Sequence, residues 1–189
     1  MSVTIRNSGT EAYGATVDSS GRLNTYATTH TEAHVATYSG GCYIANIADA
    51  GDTLTITATG GYILYLAADA TSDGLYVDRI SIYGSANGQT ATIERNPTLG
   101  SISNHETHVP RNMNTGSTKT ADVTCYSWDE ASDGMGGLTD NAIYEAMILS
   151  IGDNEPRMQE AIFVAPGTAI GITMHGAGEG AASIQFHME

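Results

Sequence analysis

Met158-Gln-Glu-Ala-Ile-Phe-Val-Ala-Pro-Gly-Thr-Ala-Ile-Gly-Ile-Thr-Met-His-Gly-Ala-Gly-Glu-Gly-Ala-Ala-Ser-Ile-Gln-Phe-His-Met-Glu189 is the stretch whose reading decides the fold. Met158 to Ala165 reads as a strand and Pro166-Gly167 as a turn. Thr168 to Met174 reads as a second strand, with Ile170, Ile172 and Met174 on one face. Gly176, Gly178 and Gly180 mark another turn, and the run from Ala181 to Met188 puts Ile184, Phe186 and Met188 on one face. Alternation of this kind buries one side of a pleated strand. Turn residues at both junctions predict a three-stranded antiparallel meander. It carries almost no charge and no catalytic cluster, so it reads as a wall of a β-sandwich.

Upstream, strands recur at intervals of about ten residues, the spacing of sandwiches and barrels. Cys42–Ile47 and Asp52–Ala58 are expected strands, the second alternating through Leu54, Ile56 and Ala58. Gly60-Gly61 leads into Tyr62–Leu66, an apolar run expected to be buried on both faces. Leu75–Tyr83 and Gln89–Arg95 flank Asn87-Gly88, the strongest hairpin signal in the chain. Residues 96–119, with Pro97 and Pro110, read as a long loop, which in a domain of this kind is functional or mobile. Thr120–Trp128 and Ile143–Ile151 complete the set, the latter a strand or a short helix, with its β-branched content favouring the strand. No segment reads as an amphipathic helix. The predicted fold is an all-β, jelly-roll-like antiparallel β-sandwich over residues 41–189.

Residues 1–40 read differently. Val3–Ile5 can form a short strand, and Asp18-Ser-Ser-Gly21 a turn between Val17 and Leu23. Thr28 to Gly41 is polar, carries His30 and His34, and has no sustained period. With few large apolar residues this segment reads as an extended N-terminal arm or hairpin that packs on another surface, such as a neighbouring subunit.

At 189 residues the chain is long enough for one domain that buries roughly 70% of its unfolded surface. Twenty-one acids against seven cations give a formal charge of −14, which argues against nucleic acid and anionic membranes as partners. No stretch reaches the roughly 20 apolar residues of a membrane helix, and Met1–Arg6 has no signal-peptide character. Cys42 and Cys125 lack metal or redox spacing and read as reduced thiols, with a bridge between them as the alternative.

Candidate chemistry is sparse. His105-Glu-Thr-His108 places two imidazoles and an acid in the long loop, but a metal needs three or four convergent ligands, and distant His175 would have to supply one. Asp129, Asp133 and Asp140 have part of the spacing of a calcium loop, although Ala131 stands where a ligand is needed and the flanks read as strands. Asp-Gly is also a plain turn signal. No Gly-x-Ser-x-Gly elbow occurs. Tyr43, Tyr62, Tyr65, Tyr76 and Tyr83 could stack on sugars, but strand packing and rim hydrogen bonds explain their placement better. No cofactor and no catalytic residue is expected.

Two stretches carry a resemblance. Ala15-Thr-Val-Asp-Ser-Ser-Gly-Arg-Leu-Asn-Thr-Tyr-Ala27 resembles a Val-Asp-Ser-x-x-Arg-Leu stretch near the start of tailed-phage structural proteins. Val164-Ala-Pro-Gly-Thr-Ala-Ile-Gly-Ile172 and the final strand resemble the end of jelly-roll capsid decoration (cement) proteins. Together they cover under a third of the chain. The resemblance implies a non-enzymatic virion protein, made in the host cytoplasm and carried on the capsid exterior. It implies a homotrimer that binds the major capsid protein between capsomers and stabilises the shell. On that reading the arm residues Val17, Asp18, Arg22, Leu23 and Tyr26, and the loop residues His105, His108 and Arg111, are the candidate contacts. The long loop and the low basic content depart from the family pattern. Two other readings compete: a tail or fibre module that binds host glycan through Tyr and Trp128, and a cupin-like metalloenzyme using His105, Glu106 and His108.

Overall fold

Ile162–Val164, Ala169–His175 and Gly178–His187 are all strands, as the closing stretch predicts, but they do not pair with one another. The first and third belong to one sheet and the second to the facing sheet. The expected meander is therefore corrected. Gly167 (φ +71°) and Gly176 (φ +93°) do reverse the chain, yet each reversal crosses the core instead of closing a hairpin. A turn residue supplies the backbone conformation for reversal and says nothing about which sheet receives the next strand.

The computed structural model describes residues 2–6, 12–17, 23–25, 32–47, 54–56, 61–95, 105–128, 142–156 and 162–188. The chain divides into two compact units, Met1–Thr31 and Glu32–Glu189. In the first, β1 (Ser2–Arg6), β2 (Ala12–Val17) and β3 (Leu23–Thr25) form a three-stranded antiparallel sheet. Val17 pairs with Leu23, and the turn expected between them lies outside the described residues. The second unit begins with α1 (Glu32–Ser39), so the tail of the expected arm is a helix, which the irregular polar sequence there does not announce. Gly40, at φ +77°, ends it, with its N–H and that of Gly41 donating to Thr37 and Ala36 carbonyls.

The strands of the second unit are β4 (Cys42–Asn46), β5 (Leu54–Ile56), β6 (Gly61–Ala68), β7 (Leu75–Gly84), β8 (Thr90–Arg95), β9 (His105–His108), β10 (Arg111–Asn112), β11 (Val123–Trp128), β12 (Ala142–Ile148), β13 (Gly152–Asn154), β14 (Ile162–Val164), β15 (Ala169–His175) and β16 (Gly178–His187). They make two antiparallel sheets packed face to face, an all-β sandwich. One runs β10-β4-β16-β7-β13, with β14 also on β7 and β5 on β16; the other runs β12-β8-β15-β6-β11-β9. The principal pairs are nested in sequence: β8 with β12, β7 with β13 and β14, β6 with β15, and β4 with β16. Successive nested pairs lie in opposite sheets, so one long antiparallel ribbon is wound over itself.

This winding corrects the Asn87-Gly88 hairpin. β7 and β8 lie in different sheets, and Gly88 (φ +84°) turns the chain from one to the other. Its neighbour Gln89 is 1% exposed and pins this end of the sandwich. The Gln89 Oε1 accepts from the Ala86 N–H at 3.0 Å, its Nε2 donates to the Gly176 carbonyl at 3.2 Å, and its own carbonyl accepts from the Leu149 N–H at 2.8 Å. Through its side-chain amide and its own carbonyl, this one buried residue joins three crossovers: β7 to β8, β15 to β16, and β12 to β13.

The core lies between the sheets. Phe186, Ile184, Ile82, Ile80, Val77, Leu75 and Ala45 of one sheet meet Ile63, Leu64, Leu66, Ile93, Ile170, Ile172 and Met174 of the other. Burying each of the larger side chains contributes about 1.5–3 kcal/mol over leaving it in water. Tyr62–Leu66 is buried throughout, as its apolar run predicts. Three register shifts set which side chains face in. On β6, Ile172 opposes Leu64 and Thr173 opposes Tyr62, which leaves Ile63 as the extra residue. Tyr62 and Tyr65 therefore share the outer face, while Ile63, Leu64 and Leu66 go to the core. Asp78 and Tyr144 are the extra residues of the other two bulges.

The expected loop at 96–119 is corrected in part: β9 and β10 lie within it. β9 extends one sheet beyond β11, β10 extends the other beyond β4, and Val109-Pro110 crosses between the sheets at that edge. Residues 112–119 are ordered by two asparagines. The Asn112 Nδ2 donates to the carbonyls of Gly40 (2.8 Å) and Lys119 (3.1 Å), and the Asn114 Nδ2 to the Tyr38 carbonyl (3.0 Å). Among the described residues no helix is long and apolar enough to cross a membrane.

Candidate functional site

β9 carries the His-x-x-His pattern on a strand, not in a loop, and strand alternation decides what it can do. His105 meets the Tyr126 ring edge-on at 4.5 Å between centroids. The His108 Nε2 hydrogen-bonds the Ser127 Oγ at 2.6 Å. Tyr126 and Ser127 are consecutive on β11 and so project to opposite faces; the two imidazoles diverge with them. Among the described residues no group of three or more His, Cys, Asp or Glu side chains converges as a metal site would require. Asp129, Asp133 and Asp140, the candidate calcium acids, lie outside the described residues, as do Asp18, Arg22 and Tyr26. Val17 and Leu23 sit at the paired ends of β2 and β3.

His108 and Arg111 do come together. With Thr107 from β9, Val109 and Pro110 from the crossover, and Ile44 and Asn46 from β4, they line a cavity of about 460 Å³. β10 pairs Arg111 with Ile44, which puts the residue beside β4 at the edge of the sheet. Val109, 77% exposed, forms an apolar lip. Four of these seven described lining residues are polar, so the cavity is a mostly polar recess with a smaller apolar part.

The outer face of the six-stranded sheet carries a polar cluster built from three adjacent strands. Glu94 of β8 is 6% exposed. It accepts hydrogen bonds from the Tyr62 hydroxyl and from the Thr92 Oγ1 at 2.9 Å, while Thr173 joins Thr92 across β15. Gly171 lies between Tyr65 and Glu94 in register, and the missing side chain leaves the two larger neighbours room. Tyr65 stacks on Tyr126 at 6.3 Å. A buried carboxylate surrounded by hydroxyl donors is a satisfied structural group.

Burial also sets how the sandwich responds to alkali. It pushes the Cys125 thiol from its ordinary 9.0 up to about 12. Burial, and secondarily Tyr126, push the Tyr65 phenol from 10.0 up to about 12. Each group holds its proton to higher pH in the folded chain than in the unfolded one, so unfolding releases protons between the two values. Their contribution is fully present below about pH 9 and is lost as pH rises toward 12, at no more than about 1.4 kcal/mol per pH unit for each group. Melting temperature is expected to fall from pH 9 upward, and Cys125→Ala to flatten the first part of that fall. An equal slope with and without the thiol would refute the assignment. Cys125 and Cys42 are both free and buried, in line with reduced thiols.

At the opposite edge β12 presents apolar side chains to solvent. Ile143 is 61% exposed, Ile148 is 78% and, past the strand, Ile151 is 62%. Tyr144, the bulged residue, is half-exposed under the Arg95 guanidinium, 5.9 Å from the ring centroid. Sequence reading finds this strand but not the outward aim of its isoleucines, because the bulge shifts the alternation at Tyr144. Asn112 and Asn114 had a readable signal, since Asn recurs in tight turns next to Gly116, and it passed unused. Compared with family models, with curated proteins and with solved structures, the chain matches none.

Proposed function

We propose that this chain is a non-enzymatic virion structural protein that decorates a phage capsid, seats as a homotrimer on the major capsid protein, and stabilises the shell. The observation that carries the assembly part is β12: the last strand of its sheet among the described residues, with exposed Ile143, Tyr144 and Ile148, and Ile151 just beyond it. Solvent-facing edges are normally blunted by charge, proline or cover, whereas this one has Glu145 as its single charged residue. An edge so composed is a surface to be covered by another chain. The nested pairing of eight strands in the orders β4-β16-β7-β13 and β12-β8-β15-β6 supports the jelly-roll reading, since each sheet interleaves early and late strands. The compact unit at Met1–Thr31, which holds the phage-like Val17 and Leu23, supports the reading of a separate arm.

The test is occupancy on shells. Purified protein is added to capsids that lack it, and bound copies are counted by cryo-EM, while sedimentation gives the mass of the free protein. Trimers in solution and density at three-fold positions are expected. Ile143→Lys with Ile148→Lys is expected to cut self-association or occupancy at least tenfold without a change in melting temperature. Deleting residues 1–31, which spares α1, is expected to leave the sandwich folded and to lower occupancy. A strict monomer that leaves shells bare would sink the reading.

A further inference from the structure

We infer that the cavity at the β4–β10 edge is a binding site for a single carboxylate carried on a short apolar body, with Arg111 as the charged partner. Four observations carry this. Arg111 is exposed and lines the cavity, and among the described residues no carboxylate pairs with it, whereas Arg79 is held by Glu155 and Arg95 lies over Tyr144. Among the described residues the lining holds no acid, in a chain with 21 of them against seven cations. Asn46 and Thr107 belong to the same lining, and Ile44, Val109 and Pro110 are its apolar part. The backbone under Arg111 is fixed: Arg111 pairs with Ile44, Asn112 with Tyr43, and the Met113 N–H donates to the Cys42 carbonyl at 2.9 Å.

The chemistry follows from the guanidinium. Its planar fork matches the two oxygens of a carboxylate, and charge-assisted bonds of this type are about twice as strong as neutral ones. Ile44, Val109 and Pro110, the apolar minority of the lining, then give the short chain behind the carboxylate something to lie against. A cavity of about 460 Å³ takes a body of a few carbons. The net charge of −14 counts against a polyanion, because repulsion from the rest of the surface grows with each added charge, while a single carboxylate meets only one such penalty. Two sources offer this chemistry: a free short-chain acid, or an acidic side chain of another protein. The inference does not depend on the assembly role, and either source satisfies it.

Titration of the isotope-labelled full chain with butyrate, followed by NMR, tests it. Saturable shifts are expected at the backbone amides of Asn46, Thr107 and Arg111, with millimolar affinity. Arg111→Gln is expected to weaken binding at least tenfold. Arg111→Lys, which keeps the charge and loses the fork, is expected to weaken it a few-fold, and both variants to melt at the wild-type temperature. A blocked glutamate, N-acetylated and amidated, separates the sources: competition with butyrate points to an acidic side chain as occupant, and its absence to a free acid. No saturable shift with butyrate, or the same affinity in Arg111→Gln, overturns the inference. Inorganic phosphate bound more tightly than butyrate overturns the assignment of the ligand class.

Discussion

Phe186→Ala is expected to cost about 3–5 kcal/mol, the range for removing a buried aromatic ring from a packed core. Phe186 is fully buried on β16, the strand between β4 and β7, and its ring stacks on Tyr43 at 5.6 Å. Its backbone neighbours in register are Tyr43 on one side and Val77 on the other, so the core around it is anchored to three strands and cannot close onto the space left. Domains of this size are stable by about 5–15 kcal/mol, and the loss is a large share of that. Urea denaturation would show it as a lower midpoint at unchanged slope. Phe163→Ala is the comparison: that ring packs on Tyr76 at 4.8 Å but is 46% exposed, and its loss is expected to cost about 1 kcal/mol. Similar losses for the two variants would show that Phe186 does not hold the sheets together.

Gln89→Leu is expected to cost about 2–3 kcal/mol, although leucine has nearly the same volume and is more apolar. The reason is what it abandons. The Ala86 N–H and the Gly176 carbonyl each lose a partner in part-buried positions, and leaving such a group without a hydrogen bond costs about 1–3 kcal/mol. Both belong to crossovers between sheets, so the effect extends to the ends of β7 and β16. Hydrogen exchange is expected to quicken at Ala86 and Ser85, and at Leu149 if the corner loosens as a unit. Equal or greater stability in the variant would refute the corner role.

The two halves of the candidate site differ in how far they could be read. His105, His108 and Arg111 stand out in a polar stretch, and Arg111 and His108 do share a cavity. That cavity exists because β9 and β10 join different sheets, and a four-residue and a two-residue strand leave almost no periodic signal. His-x-x-His invites a metal reading only while the backbone is unknown; once it is a strand, an odd spacing sends the imidazoles to opposite faces. The β12 edge is the reverse case. Its strand is legible in Ile143 to Ile151, but its exposure depends on a bulge and on being last in its sheet.

Alternation is a local property, and the sequence by itself determined what is local: an all-β chain, the positions of most strands, and the inward faces of β15 and β16 through Ile170, Ile172, Met174, Ile184 and Phe186. Pairing is not local. Strands with equivalent inward faces satisfy their backbones against any neighbour, so Pro166-Gly167, Gly176 and Asn87-Gly88 fit a hairpin and a crossover equally well. Only the tertiary structure decided between them. With the apolar faces of two sheets turned toward each other, passing successive strands across the core covers both at once, and the bulges at Ile63, Asp78 and Tyr144 then set which side chains remain outside. The closing stretch is thus three strands in two walls, held at the β15–β16 corner by a buried glutamine distant in sequence.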